Sequence, residues 1–154
     1  MHYFKLFFFF LFTSFLFCEQ VEVTATIVKA ENLKKEVRFS GNVNIKKAND
    51  WIRADKVVVY FDKNNQTNKY EAKGNVKFEF KEKKYFYKGQ ANQVVYFPET
   101  SLYILRGNAK IEDKITKRHL KGESIKLNML TGQATIQGTK KRPVKFIFDI
   151  GGKK

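Results

Sequence analysis

The chain is nearly free of the residues that build metal centres, disulfides and thiol chemistry. Its 154 residues include one cysteine and two histidines. Cys18 and His2 lie in the first eighteen residues, and His119 has no other histidine or cysteine near it in the sequence. Structural zinc sites take four cysteine or histidine ligands. We therefore expect no metal site, and we interpret His119 as an exposed strand residue.

Nucleotide-driven chemistry and acid–base catalysis also lack their usual residues. No glycine-rich loop is followed by Lys-Ser or Lys-Thr, as a phosphate-binding loop would be. Carboxylates stand singly among lysines, and Asp55 is replaced by Asn92 and Glu123 in two later copies of its phrase. Because a catalytic carboxylate would not vary in this way, we interpret Asp55 as a structural turn residue. The sequence predicts a protein that is not an enzyme and has no cofactor.

The 3.6-residue hydrophobic spacing of an amphipathic helix is missing as well. Instead, the even positions from Tyr70 to Phe80 are apolar or glycine, and the odd positions between them are polar or charged. This alternation predicts a half-buried strand, or two strands joined by a bend at Gly74. We expect an all-β chain with roughly a dozen or more strands. Residues 28–37 fit a brief helix and a strand–turn–strand unit equally well.

Two short phrases recur along the chain in the same order. The first contains a glycine at positions 41, 74 and 107, with a weaker copy at 138, so the spacing is 33, 33 and 31 residues. A fixed period of this size predicts a stack of similar β units of about 32 residues, which would form a long groove. The copies of the first phrase span 39–45, 72–78, 105–111 and 134–140, and those of the second span 52–59, 89–96 and 120–127.

The first eighteen residues have the form of a secretory signal peptide. One positive charge at Lys5 is followed by an apolar run from Leu6 to Phe17 and then by polar residues. We predict that residues 1–18 are removed, that 19–150 form one domain, and that 151–154 are a flexible tail. A mature chain of this kind would contain no cysteine.

Two other interpretations of the leader remain open. Retention as a membrane anchor is less favoured, because twelve helical residues span only about 18 Å against a hydrocarbon core of about 30 Å. Lipid modification of Cys18 is disfavoured by the bulky Phe17 before it.

Positive charge dominates the composition. The formal net charge is +15, or +14 once Lys5 leaves with the leader. This excess points to acidic partners: nucleic acid, anionic lipid head groups or phosphorylated glycans. A soluble surface in a lysine-rich protein is the simpler alternative.

Three phrases carry a resemblance to a known family: Ser40-Gly-Asn-Val43, Ile52-Arg-Ala-Asp-Lys-Val57 and Leu105-Arg-Gly-Asn-Ala109. In this order, and behind a signal peptide, they resemble the OstA-like family of lipopolysaccharide-export proteins. The resemblance covers about residues 21–144. It implies an open β-jelly roll, in which two antiparallel sheets form a V and the lipid A part of lipopolysaccharide binds between them.

The resemblance also implies a place and partners. Family members are periplasmic and stack head to tail, joining an LptC-like inner-membrane protein to an LptD-like outer-membrane protein. A membrane-anchored LptC-like protein of the same pathway is the alternative, and the short leader favours the soluble bridge. The departures from the family pattern are the weak fourth copy and the basic stretch before the last strand.

An apolar groove would suit such a cargo, because exposing one buried methylene to water costs about 0.8 kcal/mol. The resemblance turns the inward positions of the alternating strands into candidate lining residues, whereas the pattern alone favours an ordinary closed core. These candidates are Val21, Val23, Val37, Phe39, Val43, Ile45, Val57, Val59, Phe78, Leu105, Ile111, Ile125 and Leu127.

Cations of opposite parity, or near strand ends, are candidates for contact with the lipid A phosphates at the rim of the groove. Because these charges are on the surface, each would contribute little to the free energy of binding, and salt would weaken that contribution. The predicted rim consists of Lys46, Lys47, Arg53, Lys77, Lys88, Arg106 and Lys110.

The terminal β-prone segments 21–25 and 144–150 are candidates for head-to-tail pairing, because an unpaired sheet edge invites another strand. Pairing inside the molecule is the alternative for both.

Two other functions compete with lipid transport: a closed-core envelope adaptor, and a single-strand nucleic-acid binder using the aromatic residues at 85–87 beside lysines. The signal peptide argues against nucleic acid as a partner.

Overall fold

The computed structural model describes residues 20–150, and every regular element in that range is a strand. The predicted signal peptide and the predicted tail lie outside the described residues. No helix in the described range could cross a membrane. The strands are β1 (Val21–Thr24), β2 (Ile27–Glu31), β3 (Glu36–Lys47), β4 (Asp50–Phe61), β5 (Thr67–Lys81), β6 (Phe86–Phe97), β7 (Leu102–Asp113), β8 (Arg118–Asn128), β9 (Ala134–Gln137) and β10 (Lys145–Ile147).

All ten strands belong to one antiparallel sheet whose order is β1-β3-β4-β5-β6-β7-β8-β10. β1 and β2 both pair with β3, β2 with residues 36–40 and β1 with residues 44–47. In the same way β9 and β10 both pair with β8, β10 with residues 119–121 and β9 with residues 124–127. Residues 28–37 therefore form the strand–turn–strand unit, not the helix. The two terminal strands each pair internally on one side, β1 with β3 and β10 with β8.

Each long strand bends at its middle, where the hydrogen-bond register shifts. On β5 the shift lies between Lys73 and Val76, and Gly74 and Asn75 both have positive φ there, at 86° and 49°. The same Gly-Asn pair with positive φ recurs on β3 and β7. A β-bulge of this kind bends a strand and increases its twist. The bend predicted from the repeated glycine is thus present in the first three copies of the first phrase, and the weak copy at Gly138 lacks it because β9 ends at Gln137.

The bends divide the sheet into two half-sheets. The first half-sheet consists of β2, β9 and residues 36–40, 56–61, 67–73, 93–97, 102–106 and 124–128. The second consists of β1, β10 and residues 43–47, 50–54, 76–81, 86–91, 109–113 and 118–122. The bends lie side by side along the line where the two half-sheets join, and we call this line the spine. The turns at the far ends of the strands form two lips, at 32–35, 62–66, 98–101 and 129–133 on the first half-sheet and at 48–49, 82–85 and 114–117 on the second.

The core lies between the inner faces of the two half-sheets. Val76 and Phe78 of the second half-sheet and Leu105 and Ile125 of the first are at most 1% exposed, and they belong to one hydrophobic cluster. The outermost strands at the two edges of the sheet do not pair with each other, so the fold is not a closed barrel. The predicted fold class, an all-β open jelly roll of two antiparallel layers, is confirmed.

Candidate functional site

The space between the half-sheets is open near both edges of the sheet and filled in the middle. Near the β1 edge, a cleft of about 250 Å³ is bounded by side chains from both half-sheets. We call it the first compartment. Its lining includes Val21, Ile45, Lys47, Asp50, Ile52, Val57, Tyr70, Ala72, Phe80, Val94, Tyr96, Pro98 and Tyr103.

A second, smaller cleft of about 180 Å³ lies near the β9–β10 edge, and we call it the second compartment. It too has an inward apolar surface from both half-sheets and a polar opening at the lip. Its lining consists of Tyr87, Ile111, Asp113, Arg118, Leu120, Leu127, Gly132, Ala134, Ile136 and Phe146. The layers are therefore separated at both ends rather than packed together along their whole length.

Aromatic rings from both half-sheets fill the space between the two compartments. The ring centroid of Phe80 on the second half-sheet lies 4.9 Å from that of Tyr103 on the first. Phe78 stacks on Phe80 at 4.7 Å, and Tyr96 stacks on Tyr103 at 4.3 Å. Burial raises the pKa of Tyr103 far above its ordinary value. A continuous apolar path would require Phe80 and Tyr103 to move apart.

Among the described residues that line the two compartments, the charged ones lie toward the lip of the second half-sheet. Lys47 and Asp50 are cross-strand partners at the first compartment, and Asp113 and Arg118 are partners at the second. Burial alone would raise the pKa of Asp113, but hydrogen bonds from Thr116, from other backbone N–H groups of the turn and from Arg118 outweigh it and lower the pKa. Each compartment thus combines an apolar interior with one cation and one carboxylate at its mouth.

All of the predicted lining residues face the inside of the fold. Val21, Ile45 and Val57 line the first compartment, and Ile111 and Leu127 line the second. Seven others pack in or against the core between and around the compartments: Val23, Phe39, Val43, Val59, Phe78, Leu105 and Ile125. The half-buried Val37 lies opposite the buried Val59 on β4. Contact between any of these residues and lipid remains a prediction.

The predicted rim cations point away from the apolar side or lie near strand ends, as predicted, but most of them are on the outer faces of the half-sheets and not at the lips. Contact between any of them and a lipid phosphate remains a prediction. Of the seven cations, only Lys47 lines the mouth of a compartment. Lys46, Arg53, Lys77, Lys88 and Lys110 are exposed on the outer face of the second half-sheet, and Arg106 is exposed on the outer face of the first. The reason is that the rim is formed by turns at the strand ends, whereas most of these residues lie within strands and point away from the slot.

Several residues of the compartments were missed from the sequence. Tyr96, Tyr103 and Phe80 occupy inward positions of the same alternating series that identified their neighbours, so the parity could have found them. Leu120 is the first residue of the third copy of the second phrase, Arg118 lies two residues before it on β8, and Ile136 lies in the weak fourth copy of the first phrase. Arg118 carries no signal in the sequence that separates it from the many surface cations.

No constellation for metal binding accompanies the slot. Among residues 20–150, no three His, Cys, Asp or Glu side chains cluster as a metal site would require. Asp55, the carboxylate in the repeated phrase, lies at a bend, where it accepts a hydrogen bond from the Asn75 side chain at 3.2 Å.

Comparison with known proteins places this architecture. A search of curated proteins finds no match. Among solved structures, the fold is similar to the crystal structure of LptH, described as the LptA-homologous periplasmic component of the lipopolysaccharide transport device of Pseudomonas aeruginosa. The TM-score is 0.75 at 16% sequence identity, over 85% of this chain and 96% of that one. At this identity the likeness establishes the fold alone.

The family is established by the sequence match. Residues 22–137 match the family model described as the LptA/(LptD N-terminal domain) LPS transport protein, which covers the strands from β1 to β9. The repeated bends, the two facing half-sheets and this match agree with one another. The chain belongs to the LptA/LptD N-terminal-domain family of lipopolysaccharide transport proteins.

Proposed function

We propose that this protein carries lipopolysaccharide across the periplasm with the acyl chains of lipid A held between the two half-sheets. The observation that carries the proposal is the slot itself. Two facing apolar surfaces, one from each half-sheet, stay apart near both edges of the sheet. Burying one methylene in such a slot is favourable by about 0.8 kcal/mol. Moving an acyl chain of a dozen carbons from the slot into water would therefore cost on the order of 10 kcal/mol.

The arrangement of lips and spine suits an amphiphile. The spine closes the slot along the bends, and the lips leave it open along the strand ends. Acyl chains could lie inside while the saccharide stays outside in water. The carboxylates and cations at the lip, Lys47 with Asp50 and Asp113 with Arg118, would lie at the boundary between the two. The Lys47 and Arg118 side chains are the cations best placed to meet a lipid phosphate.

The bridge and its partners follow from the same proposal. β1 and β10 each have one edge that the monomer does not pair. An open edge at each end of one sheet permits a heterologous contact that repeats and extends the slot from one copy to the next. We propose head-to-tail copies joining an LptC-like inner-membrane protein to an LptD-like outer-membrane protein. The protein would need no catalytic step of its own, since it offers a path and performs no reaction.

Depletion of the protein from its own cells tests this function. We expect newly made lipopolysaccharide to accumulate at the inner membrane, because free glycolipid does not cross water at an appreciable rate. The measurement is pulse-labelling of lipopolysaccharide followed by separation of the two membranes. Re-expression of the wild-type chain should restore delivery. Normal delivery to the outer membrane in fully depleted cells would refute the transport function.

A further inference from the structure

The outer face of the second half-sheet carries a row of cations that runs across the sheet from strand to strand. Cross-strand pairing joins Arg53 to Lys77 and, beyond the neutral Gln90 on β6, joins Lys110 to Lys121 and Lys121 to Lys145. All five cations are exposed. At about 4.8 Å between strands, the row from β4 to β10 is roughly 24 Å long. We call these five residues the cationic row: Arg53, Lys77, Lys110, Lys121 and Lys145.

The row places like charges directly opposite one another, which destabilises a sheet. Like charges also lie opposite one another on the outer face of the first half-sheet, in the pairs Lys29–Arg38 and Lys56–Lys73. One member of each of these pairs contacts a carboxylate: Arg38 lies 2.7 Å from Glu36, and Lys73 lies 3.8 Å from Glu71. Within the described residues, no carboxylate lies within ion-pair distance of any member of the row. Glu112, on the neighbouring row of the same face, contacts Lys114 and His119. A surface that keeps this arrangement is suited to an external anion.

The repeat itself produces part of the row. Lys77 and Lys110 are each the third residue after the glycine of their bend, at Gly74 and Gly107. The bulge holds this position in the same orientation in both copies, pointing away from the slot. The row is therefore built by the same phrase that builds the fold.

The face is concave and includes an aromatic ring. A depression of about 430 Å³ lies on it. Its lining includes Trp51, five lysines, one carboxylate and one histidine: Lys77, Lys88, Lys110, Lys121, Lys145, Glu112 and His119. The Arg53 guanidinium lies 4.7 Å above the centre of the Trp51 ring. Concave sites suit compact ligands, and lysine and arginine are the usual donors to phosphate. A concave site with an aromatic ring and several cations fits a phosphorylated sugar better than a flat bilayer.

We propose that the cationic row and this depression bind a phosphorylated saccharide, the head group of the same glycolipid whose acyl chains the slot would hold. The source of the ligand rests on the proposed function, but the chemistry does not, because the row faces away from the slot. A long saccharide leaving the lip could lie along this outer face. Its charge would then be neutralised while the cargo is carried.

The experiment measures binding of deacylated lipopolysaccharide, a water-soluble phosphorylated oligosaccharide that cannot use the slot. The variant is Lys77→Gln/Lys110→Gln/Lys121→Gln. Its control, Lys29→Gln/Lys63→Gln/Lys126→Gln, removes the same charge from exposed sites outside the cationic row. We expect the dissociation constant to rise about tenfold for the row variant, because the loss of each of three exposed charges raises it by a small factor and these factors multiply. For the control we expect a change of less than about threefold. Removing the phosphates from the oligosaccharide should abolish the difference.

Thermal unfolding supplies a second measurement. Without ligand at low salt, the row variant should unfold at a higher temperature than the wild type because like-charge pairs have been removed.

Equal weakening of saccharide binding in the row variant and in its control would show that net charge alone attracts the saccharide, and would overturn the proposal. So would tighter, row-dependent binding of phosphatidylglycerol vesicles or single-stranded DNA. Loss of saccharide binding would leave the slot intact, so it would not count against acyl-chain transport.

Discussion

A covalent tether across the slot is expected to abolish loading of the protein with lipopolysaccharide. Lys47 and Pro98 line the first compartment from opposite half-sheets, Lys47 at one lip and Pro98 at the other. In a chain without Cys18, the variant Lys47→Cys/Pro98→Cys can be joined by a cleavable reagent with two thiol-reactive groups. Because the saccharide must stay outside while the chains move inside, the molecule has to slide along an open lip. A tether across that lip blocks its path.

The measurement is transfer of purified lipopolysaccharide to the protein, with the tether closed and again after it is cleaved by reduction. We expect no detectable transfer while the tether is closed and, after cleavage, the same transfer as in the double-cysteine variant that was never tethered. Lys47→Cys/Asp50→Cys is the control, because both residues lie on the second half-sheet and a tether between them does not cross the slot. Equal loading of the two tethered variants would mean that the lipid does not enter between the half-sheets.

A single methyl group at the bend is expected to destabilise the whole fold. A Cβ built on Gly74 would lie 2.5 Å from an Asp55 carboxylate oxygen and 2.8 Å from its Cβ, and φ is 86°. Left-handed backbone costs a residue with a side chain about 1–2 kcal/mol, and overpacking adds about 1–3 kcal/mol. We therefore expect Gly74→Ala to lower the free energy of unfolding by roughly 3 kcal/mol.

The variant Gly132→Ala separates the cost of the left-handed backbone from the cost of overpacking. Gly132 also has positive φ, at 75°, but nothing lies within 4 Å of the added Cβ. Its cost should stay near the 1–2 kcal/mol of the backbone alone. Urea unfolding of both variants, with the slope against denaturant compared to the wild type, gives the two values. Equal losses would mean that the close approach of Asp55 does not fix the bend.

Much of the fold follows from the period of two and the repeated glycine. The even positions 70–80 keep one phase through the bend, because Gly74 and Asn75 add two residues on β5. The partner strands contribute a single residue there, so their inward positions change phase, from Ala54 to Val57 on β4. The sequence alone shows this change only through comparison with the third copy, where Lys126 and Asn128 mark the outward side.

The geometry of the site was less predictable, since it depends on packing between residues far apart in sequence. Parity identifies Phe80 and Tyr103 as inward residues, but not their contact at 4.9 Å, which divides the slot into two compartments. The position of the rim depends on where the turns fall. Lys46 and Lys47 lie on opposite faces of the second half-sheet because side chains alternate along β3, and only Lys47, on the inner face next to the turn at 48–49, lines the mouth of a compartment.

Photo-crosslinking in living cells at paired inner and outer positions tests the central claim most directly. Tyr70 lines the first compartment and Ile136 the second, while their neighbours Lys69 and Thr135 lie on the outer face of the first half-sheet, away from the cationic row. With a photoreactive amino acid at each position in turn, we expect lipopolysaccharide adducts at positions 70 and 136 and none at 69 and 135. Adducts at the outer positions alone, or at none of the four, would contradict transport through the slot.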